Sequence, residues 1–261
     1  MGAPEDFIKA RPQLLAFFQR LRRWAGPFAR HPLRSWLGYG RFFRDRGRYL
    51  QMGGRAPLGD SYPCLFDATS HTPFDSHYFY QAAWAMRKIA AKAPAGHVDV
   101  GSDLRFVGMV AALVDTTFID IRPPQLALDR LTCRAGSVLK LPLADGSAAS
   151  LSSLSVIEHI GLGRYGDPLL PRGTELAAQE LCRVLAPGGD LLISLPVGAE
   201  RECFNAHRIF DPLTVLSLFA SLQLRDFSVV DDAGNYHAGV APSAYRELSF
   251  GNGLFHFSRP A

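Results

Sequence analysis

The chain of 261 residues has little cysteine, and none of it is closely spaced. Its four cysteines, Cys64, Cys133, Cys182 and Cys203, form no C-x-x-C pair. This spacing argues against a disulfide framework and favours reduced thiols in a cytosolic compartment. Because the sequence also lacks a close pair such as H-x-x-x-H, no metal site is predicted.

Long apolar runs are absent as well. No run approaches the ~20 residues that a helix needs to cross a bilayer. Four charged residues, Glu5, Asp6, Lys9 and Arg11, interrupt the region where a signal peptide has its apolar segment. We therefore expect a cytoplasmic protein. With 48% hydrophobic residues, the chain can bury the core of one domain and carry an appendage.

Positive charge is concentrated at one end of the chain. Residues 1–50 contain eleven Lys and Arg against three Asp and Glu, whereas the rest contains 17 against 21. The net charge of +4 therefore originates in the N-terminal segment. A short basic segment is a poor predictor of nucleic-acid binding, and none is expected.

The basic segment also has an apolar stripe with helical spacing. Its members are Leu14, Phe17, Phe18, Leu21 and Trp24. Pro27 and Pro32 are expected to end this helix. We interpret residues 1–58 as a basic amphipathic helical extension that caps the domain or a second subunit. Peripheral contact of residues 1–50 with an anionic membrane, at its inner face, is the alternative.

The strongest pattern further along is a strand, a glycine turn, a helix and a second strand. His97–Val100 has the composition of a buried strand and ends at Gly101, while Asp120 closes the second strand, 21 residues after Asp99. This order is typical of the nucleotide-binding half of a doubly wound sheet. The glycine lets a ligand approach the backbone, and Asp120 is placed to accept hydrogen bonds from ribose hydroxyls.

This turn departs from the dinucleotide pattern, which has three glycines. Ser102, Asp103 and Arg105 occupy its middle. A carboxylate in the turn would repel a pyrophosphate. A ligand that has a ribose but no phosphate is therefore favoured, and S-adenosylmethionine fits better than NAD.

Strands and helices alternate along residues 59–261, which predicts a domain with a parallel sheet and crossover helices. Further strands are expected over residues 133–138, 149–156, 190–197, 224–230 and 254–258, helices over residues 82–93, 123–130, 174–185 and 212–221, and a polar loop over residues 204–211. The predicted fold class is α/β: a Rossmann-like, doubly wound, mostly parallel seven-stranded sheet with an N-terminal helical extension.

Five landmarks follow one another in this domain. They are Val98–Gly101, Phe118–Asp120, Gly136–Pro142, Val156–Ile160 and Leu185–Ser194. In this order they resemble the core of the class I S-adenosylmethionine-dependent methyltransferases, over roughly residues 95–261. The segments 75–81, 97–102, 158–168 and 204–208 resemble, more narrowly, a methyltransferase-like family known as domain of unknown function family 268. That likeness covers about residues 60–258.

The resemblance to the methyltransferases implies S-adenosylmethionine as the cofactor. It puts Asp99 and Gly101 near the methionine end, Asp120 at the ribose, and Ile121 and Val138 beside the adenine. The full set of implied cofactor contacts is Asp99, Gly101, Ser102, Asp120, Ile121, Ser137 and Val138. Ser137 stands where these enzymes commonly have an acid that holds the adenine amino group.

Members of family 268 are often assigned to surface-polysaccharide synthesis, so this resemblance implies O-methylation of a sugar, glycan or nucleotide-sugar acceptor. A sugar hydroxyl must lose its proton, and histidine suits the task. The catalytic candidates are His159, His207 and Glu158, with no preference between the two histidines. The candidates for acceptor contacts are His77, Tyr80, Arg164, Asp167, Asn205 and Arg208. Arg164 and Arg208 could hold an anionic group.

Other interpretations stay open from the sequence. The loss of glycines fits a catalytically degenerate protein of the same fold that binds or scaffolds in an envelope glycan assembly complex. Each polar candidate, taken alone, is explained as well by a structural role as by catalysis. A homo-oligomer is a further alternative.

Overall fold

A computed structural model describes the backbone of residues 12–261 and the side chains of residues 18–29 and 31–261. The chain divides into two compact units, Met1–Pro73 and Phe74–Ala261. The division falls later than the predicted one between residues 58 and 59, because residues up to Pro73 belong with the helical unit. Within it, the Arg41 guanidinium donates a hydrogen bond to the Leu65 carbonyl at 2.7 Å. Among the described residues, no helix is both long and apolar enough to cross a membrane.

The first unit contains two long helices, α1 (Pro12–Arg30) and α2 (Pro32–Gln51). The prediction that Pro27 ends the first helix is wrong, because α1 continues to Arg30 and the His31 N–H still bonds to the Pro27 carbonyl. Pro32 begins α2, where a missing N–H costs no helical hydrogen bond. The predicted side-chain positions of Leu14 and Phe17 lie outside the described residues.

Aromatic side chains hold α1 and α2 together. Trp24 stacks on Tyr39 with ring centroids 5.8 Å apart, and Phe28 stacks on Tyr39 at 5.3 Å. The Tyr39 hydroxyl donates a hydrogen bond to the Trp24 carbonyl. Trp24, Phe28 and Tyr39 thus form a small aromatic core between the two helices.

The second unit alternates helices and strands as the sequence predicts. Its helices are α3 (Ser76–Lys92), α4 (Leu104–Ala111), α5 (Gly173–Val184) and α6 (Pro212–Leu218). Its strands are β1 (His97–Val100), β2 (Thr116–Asp120), β3 (Leu131–Ala135), β4 (Ala148–Leu154), β5 (Leu185–Val197), β6 (Arg201–Cys203), β7 (His207–Ile209), β8 (Gln223–Val230), β9 (Tyr236–His237) and β10 (Gly251–Ser258).

In the described part of the chain, eight of these strands form one sheet in the order β3-β2-β1-β4-β5-β10-β8-β9. Strands β1 to β5 pair in parallel, and β10 is antiparallel to both neighbours, β5 and β8. The predicted mostly parallel, doubly wound fold is confirmed. The two-residue strand β9 adds an eighth member to the predicted seven.

Two local predictions are wrong. Residues 123–130 contain no helix, because Pro124 disfavours helical backbone at Pro123 before it, and because Leu126 and Leu128 stay exposed, so that no apolar face is buried. Residues 204–211 are not simply a loop, since β6 and β7 form a hairpin there. Asn205 allows its tight turn, with φ at +61°, a conformation that asparagine tolerates better than most residues.

Both faces of the sheet are covered. On one face Trp84 and Ile89 of α3 pack with Phe106 of α4, and on the other Leu181 of α5 packs with Phe219, just after α6. Strand β5 is buried on both sides, as its nearly continuous apolar sequence predicts. The carboxyl ends of β1, β2 and β4 therefore meet at one edge of a rigid sheet, where open α/β folds bind ligands.

Candidate active site

The turn after β1 places Gly101, which has no side chain, next to Asp120. Gly101 has φ at +75°, and a β carbon there would lie 3.1 Å from Val156 Cγ1 and 3.8 Å from Asp120 Oδ2. Its N–H donates to the Ile119 carbonyl at 3.0 Å. Only glycine combines this conformation with an open space in front of the carboxylate.

A cavity of about 220 Å³ opens at this place, beyond the carboxyl ends of β1 to β4. Its lining includes five of the seven predicted cofactor contacts: Gly101, Asp120, Ile121, Ser137 and Val138. His159 and Tyr165 follow β4 in the chain and line the same cavity. The topology thus gathers side chains from four crossover connections around one space.

The polar groups of the cavity are only partly engaged. One Asp120 oxygen accepts a hydrogen bond from the Arg122 N–H at 2.7 Å, and the other faces Gly101. The Ser137 hydroxyl accepts from the Leu139 N–H at 3.2 Å, which tightens its own turn. Val138 is buried and Ile121 is exposed, so both offer apolar surface to a flat ligand.

Asp99 and Ser102 do not line the cavity. Asp99 is fully buried and accepts hydrogen bonds from the Ser102 N–H at 3.0 Å, the Ser102 hydroxyl at 2.7 Å and the Ser152 hydroxyl. The Ser102 hydroxyl in turn accepts from the Leu154 N–H at 2.9 Å. Both side chains therefore connect the turn at Gly101 to β4 through hydrogen bonds inside the sheet.

His97 extends this group through the sheet. Its Nδ1 lies 2.7 Å from the Ser150 hydroxyl and its Nε2 lies 2.9 Å from the Ser152 hydroxyl. We call His97, Ser150, Ser152, Asp99 and Ser102 the interior chain. Burial lowers the pKa of His97 to about 4 and raises the pKa of Asp99 to about 6. The interior chain is a closed structural network, in which every side chain has a partner.

His159 lies at the end of a single 3₁₀ turn after β4, and its Nδ1 is held by a short hydrogen bond. Nδ1 lies 2.6 Å from the Ala206 carbonyl oxygen, which can only accept, so Nδ1 carries the proton. Nε2 lies 3.5 Å from Glu158 Oε1. Burial lowers the pKa of His159 to about 4, so the ring is neutral at neutral pH.

Glu158 is the buried partner of His159. Its second oxygen, Oε2, is buried without a hydrogen-bond partner in the described part of the molecule. Burial raises the pKa of this carboxyl to about 8. Glu158 is therefore a neutral acid at neutral pH and can act as a donor toward His159 Nε2.

His207, on the hairpin strand β7, differs from His159. Its ring centroid lies 6.4 Å from that of His159 and 5.0 Å from that of Phe250. Neither ring nitrogen has a hydrogen-bond partner among the side chains and backbone that the structure describes. Burial, with the charges of Arg164 and Arg201, lowers the pKa of His207. This imidazole is neutral at pH 7 and free to accept a proton.

Three other predicted acceptor contacts, His77, Tyr80 and Asp167, have different surroundings. The His77 ring lies 5.5 Å from the Phe250 ring, between centroids, and Phe250 in turn contacts His207. These three rings form one row. Tyr80 instead stacks on Tyr236 at 5.2 Å, outside that row. Asp167 lines the cavity, but its oxygens accept from the N–H groups of Gly161 at 2.7 Å and Tyr165 at 3.2 Å.

The residues that the structure describes contain no group of three or more His, Cys, Asp or Glu side chains able to hold a metal ion.

Asn205 and Arg208 serve the hairpin and its neighbouring loop. The Asn205 amide donates to the Leu162 carbonyl at 3.3 Å. Arg208 is buried and donates to Glu202 at 2.8 Å and to the Ile160 carbonyl at 2.7 Å. The structure thus commits the Arg208 guanidinium to internal partners and does not turn it toward an anionic ligand.

The sequence analysis missed Tyr165 and Arg122. Both line the cavity, and the guanidinium carbons of Arg122 and Arg164 each lie 5.0 Å from the Tyr165 ring centroid. Such an arrangement is a cation–π contact. The position of Arg122, two residues after the strand-terminal Asp120, could have signalled it.

A buried polar cluster beside the cavity was also missed. Ser155 has φ at +55° at the end of β4, and its hydroxyl donates to the Gln81 amide oxygen at 2.9 Å. Ser194 donates to the same oxygen at 2.8 Å, and the Asn252 amide does so at 3.1 Å. These partners are far apart in sequence, so no local pattern signals them.

The family described as "Caenorhabditis protein of unknown function, DUF268" matches residues 146–232, which include β4, β5 and the hairpin. The predicted resemblance to family 268 is thereby confirmed. Comparison with curated proteins gives no match.

Solved structures with the same fold share little sequence with the chain. The N-methyltransferase NodS from Bradyrhizobium japonicum WM9, in complex with S-adenosylhomocysteine, is 14% identical, covers 76% of this chain and 92% of its own, and has a TM-score of 0.51. The YcgJ protein from Bacillus subtilis is 10% identical, with 70% and 99% covered and a TM-score of 0.51. The cyclase SpnF is 16% identical, with 69% and 83% covered and a TM-score of 0.50.

These likenesses establish the class I methyltransferase fold for the α/β unit. They also include a cyclase by name, and a fold can carry more than one chemistry. The function must therefore be argued from the site.

Proposed function

We propose that the chain is an S-adenosylmethionine-dependent methyltransferase that methylates a hydroxyl of a sugar, glycan or nucleotide-sugar acceptor. The observation that carries the proposal is the cavity that Gly101, Asp120 and Val138 line together with His159, whose ring centroid lies 6.4 Å from that of the neutral His207. A cofactor side and a proton-accepting side are thus adjacent.

The residues on the cofactor side fit S-adenosylmethionine. A β carbon at Gly101 would fill the space in front of Asp120, so the turn leaves room for a ligand at that point. The free oxygen of Asp120 would accept hydrogen bonds from ribose hydroxyls, and Ile121 and Val138 would flank the adenine. When bound, the cofactor supplies an electrophilic methyl group on its sulfonium.

We assign the proton-accepting role to His207 rather than His159. A hydroxyl acceptor gives up its proton to a neutral base within hydrogen-bond reach. His159 Nδ1 donates to the Ala206 carbonyl and Nε2 lies 3.5 Å from Glu158 Oε1, whereas neither His207 nitrogen has a hydrogen-bond partner among the described residues. The His159 Nδ1–H and the Arg164 guanidinium, at 3.1 Å, both donate to the Ala206 carbonyl, directly before His207. His159 is therefore the positioning residue for His207.

The acceptor in this proposal carries an anionic group, such as a uronate carboxylate or a phosphate. Arg122 and Arg164 flank Tyr165 at the cavity, and no carboxylate of the described residues forms an ion pair with either. Guanidinium groups without an acidic partner bind carboxylates and phosphates well. Arg122 thus takes the role that the sequence gave to Arg208.

A second candidate, a catalytically degenerate binding or scaffold protein of this fold, is favoured by one observation. Asp99, which the methyltransferase resemblance puts at the methionine end, and Ser102, a further predicted cofactor contact, point into the sheet and away from the cavity. Such a protein would keep the fold without turning over the cofactor.

Calorimetric titration with S-adenosylmethionine and S-adenosylhomocysteine separates the two candidates. We expect micromolar binding that Asp120→Ala weakens at least tenfold, because the ribose contact is lost. Asp115→Ala is the matched control, since Asp115 lies just before the same strand and pairs with exposed Arg130. Absence of binding at millimolar ligand would refute the methyltransferase proposal and favour the scaffold.

A further inference from the structure

Helix α2 has two different apolar faces. One face, with Tyr39 and Phe42, packs in the aromatic core of the helical unit. The other carries Leu33, Trp36 and Leu37, which are 84%, 71% and 81% exposed, and of these only the Trp36 ring contacts the aromatic core, edge-on to Phe28 with centroids 5.4 Å apart. We call these three residues the apolar stripe. Their i, i+3, i+4 spacing puts them on one side of the helix.

Among the described residues, little packs on the side of α2 that carries the apolar stripe. A β carbon at Gly40 or at Gly47 would meet nothing within 4 Å. Helical periodicity puts Arg44 and Arg48 on the same side, three and four turns beyond Leu33. Arg44 pairs only with the neighbouring Asp45, at 3.3 Å, and both side chains are more than half exposed.

The charge around the stripe has one sign. Residues 12–51 contain nine arginines and one acidic residue, Asp45. A second copy of the chain would bring equal positive charge against this surface, which disfavours a self-complementary interface. An anionic partner is favoured instead.

We propose that this face of α2 docks on an anionic membrane surface. Leu33, Trp36 and Leu37 would enter the boundary between headgroups and acyl chains, where tryptophan is preferred. Arg44 and Arg48 would contact the lipid headgroups, each adding to the attraction. This docking is independent of the reaction proposed above.

Co-sedimentation of the full chain with phosphatidylcholine vesicles, with and without phosphatidylserine, tests the proposal. We expect binding that needs phosphatidylserine and that a blue shift of Trp36 fluorescence accompanies. The combined variant Leu33→Ser, Trp36→Ser, Leu37→Ser should bind at least tenfold more weakly. The double variant Arg44→Glu, Arg48→Glu should lose vesicle binding to a similar extent. Because its attraction to the headgroups is already gone, added salt should not weaken its binding further.

Matched variants make the result decisive. Leu126→Ser with Leu128→Ser alters two exposed leucines of the α/β unit and should leave vesicle binding unchanged. Circular dichroism checks that each variant is folded, as expected for exposed positions. Equal binding by wild type and the stripe variant would overturn the proposal. A wild-type dimer that ignores vesicles and that the stripe variant converts to monomer would overturn it too, and would assign the face to a second copy.

Discussion

His97 and His207 belong to the same α/β unit and are both neutral, yet they are opposites in their bonding. Each ring nitrogen of His97 lies within 2.9 Å of a serine hydroxyl inside the sheet. His207 lies on the hairpin at the sheet edge, and neither nitrogen has a partner among the described residues. The comparison teaches that saturated hydrogen bonding, and not residue type, separates a structural histidine from one available for chemistry.

The largest expected effect lies in the interior chain. Asp99→Ala removes one carboxylate and leaves the Ser102 N–H, the Ser102 hydroxyl and the Ser152 hydroxyl buried without an acceptor. Since each buried unsatisfied group costs roughly 1–3 kcal/mol, we expect a loss of about 3–5 kcal/mol in the free energy of unfolding. Urea denaturation followed by circular dichroism measures it.

Asp120→Ala is the control for this variant. Asp120 accepts a single described hydrogen bond, from the Arg122 N–H, and is only half-buried, so its loss should cost about 1 kcal/mol or less. If Asp99→Ala and Asp120→Ala lowered the free energy of unfolding equally, the interior chain would not be more important for stability than the cavity residue Asp120.

The second effect tests the free histidine. His207→Gln should lower turnover by about 10²-fold because the base is lost, while cofactor affinity and melting temperature stay unchanged. Because burial lowers the pKa of His207 below its usual 6.5, the midpoint of the fall in wild-type turnover toward low pH should lie below pH 6.5. Release of S-adenosylhomocysteine with UDP-glucuronate as the acceptor provides the measurement.

His159→Gln sharpens this result. It loosens the Ala206 carbonyl that precedes His207, so turnover should fall by about tenfold while the low-pH limb remains. His207→Gln should abolish the limb. If the limb persisted in His207→Gln and vanished in His159→Gln, the base would be His159.

The smallest effect concerns Glu158, whose pKa is raised from 4.5 to about 8 by burial. Between those values the folded state keeps a proton that the unfolded state releases, so wild-type stability falls as pH rises from 4.5 to 8. Glu158→Gln lacks this loss. Its melting temperature should exceed that of wild type by a few degrees near pH 8 and by little near pH 5.

Thermal melts at several pH values measure this difference. Glu247→Gln, at an exposed carboxylate, should show no such trend. A constant difference between Glu158→Gln and wild type from pH 5 to 8 would mean that Glu158 is ionised in the fold.

Sequence reasoning predicted the sheet because its signals are local. The strand ending at Gly101, the acid at Asp120 and the apolar run of β5 each follow from residues close together in the chain. Five of the predicted cofactor contacts share a cavity for the same reason, since each follows a parallel strand. Boundaries differed by a few residues.

The remaining features depend on partners that are distant in sequence. Arg208 resembles an anion-binding residue until its bond to the Ile160 carbonyl, 48 residues away, is seen. The choice between His159 and His207 depends on Ala206, whose carbonyl occupies only the former. The inward turn of Asp99 depends on Ser152, because the β1–β4 register sets those two residues side by side.

The place of β10 between β5 and β8 has a consequence for synthesis on the ribosome. It is the last of the eight strands to be translated, yet it joins the parallel part of the sheet to β8 and β9. Until residue 258 has left the exit tunnel, β5 and β8 each present an unpaired edge, the kind of edge that recruits foreign strands. Both edges therefore stay unpaired until late in synthesis, and the arrival of β10 closes them in a single step.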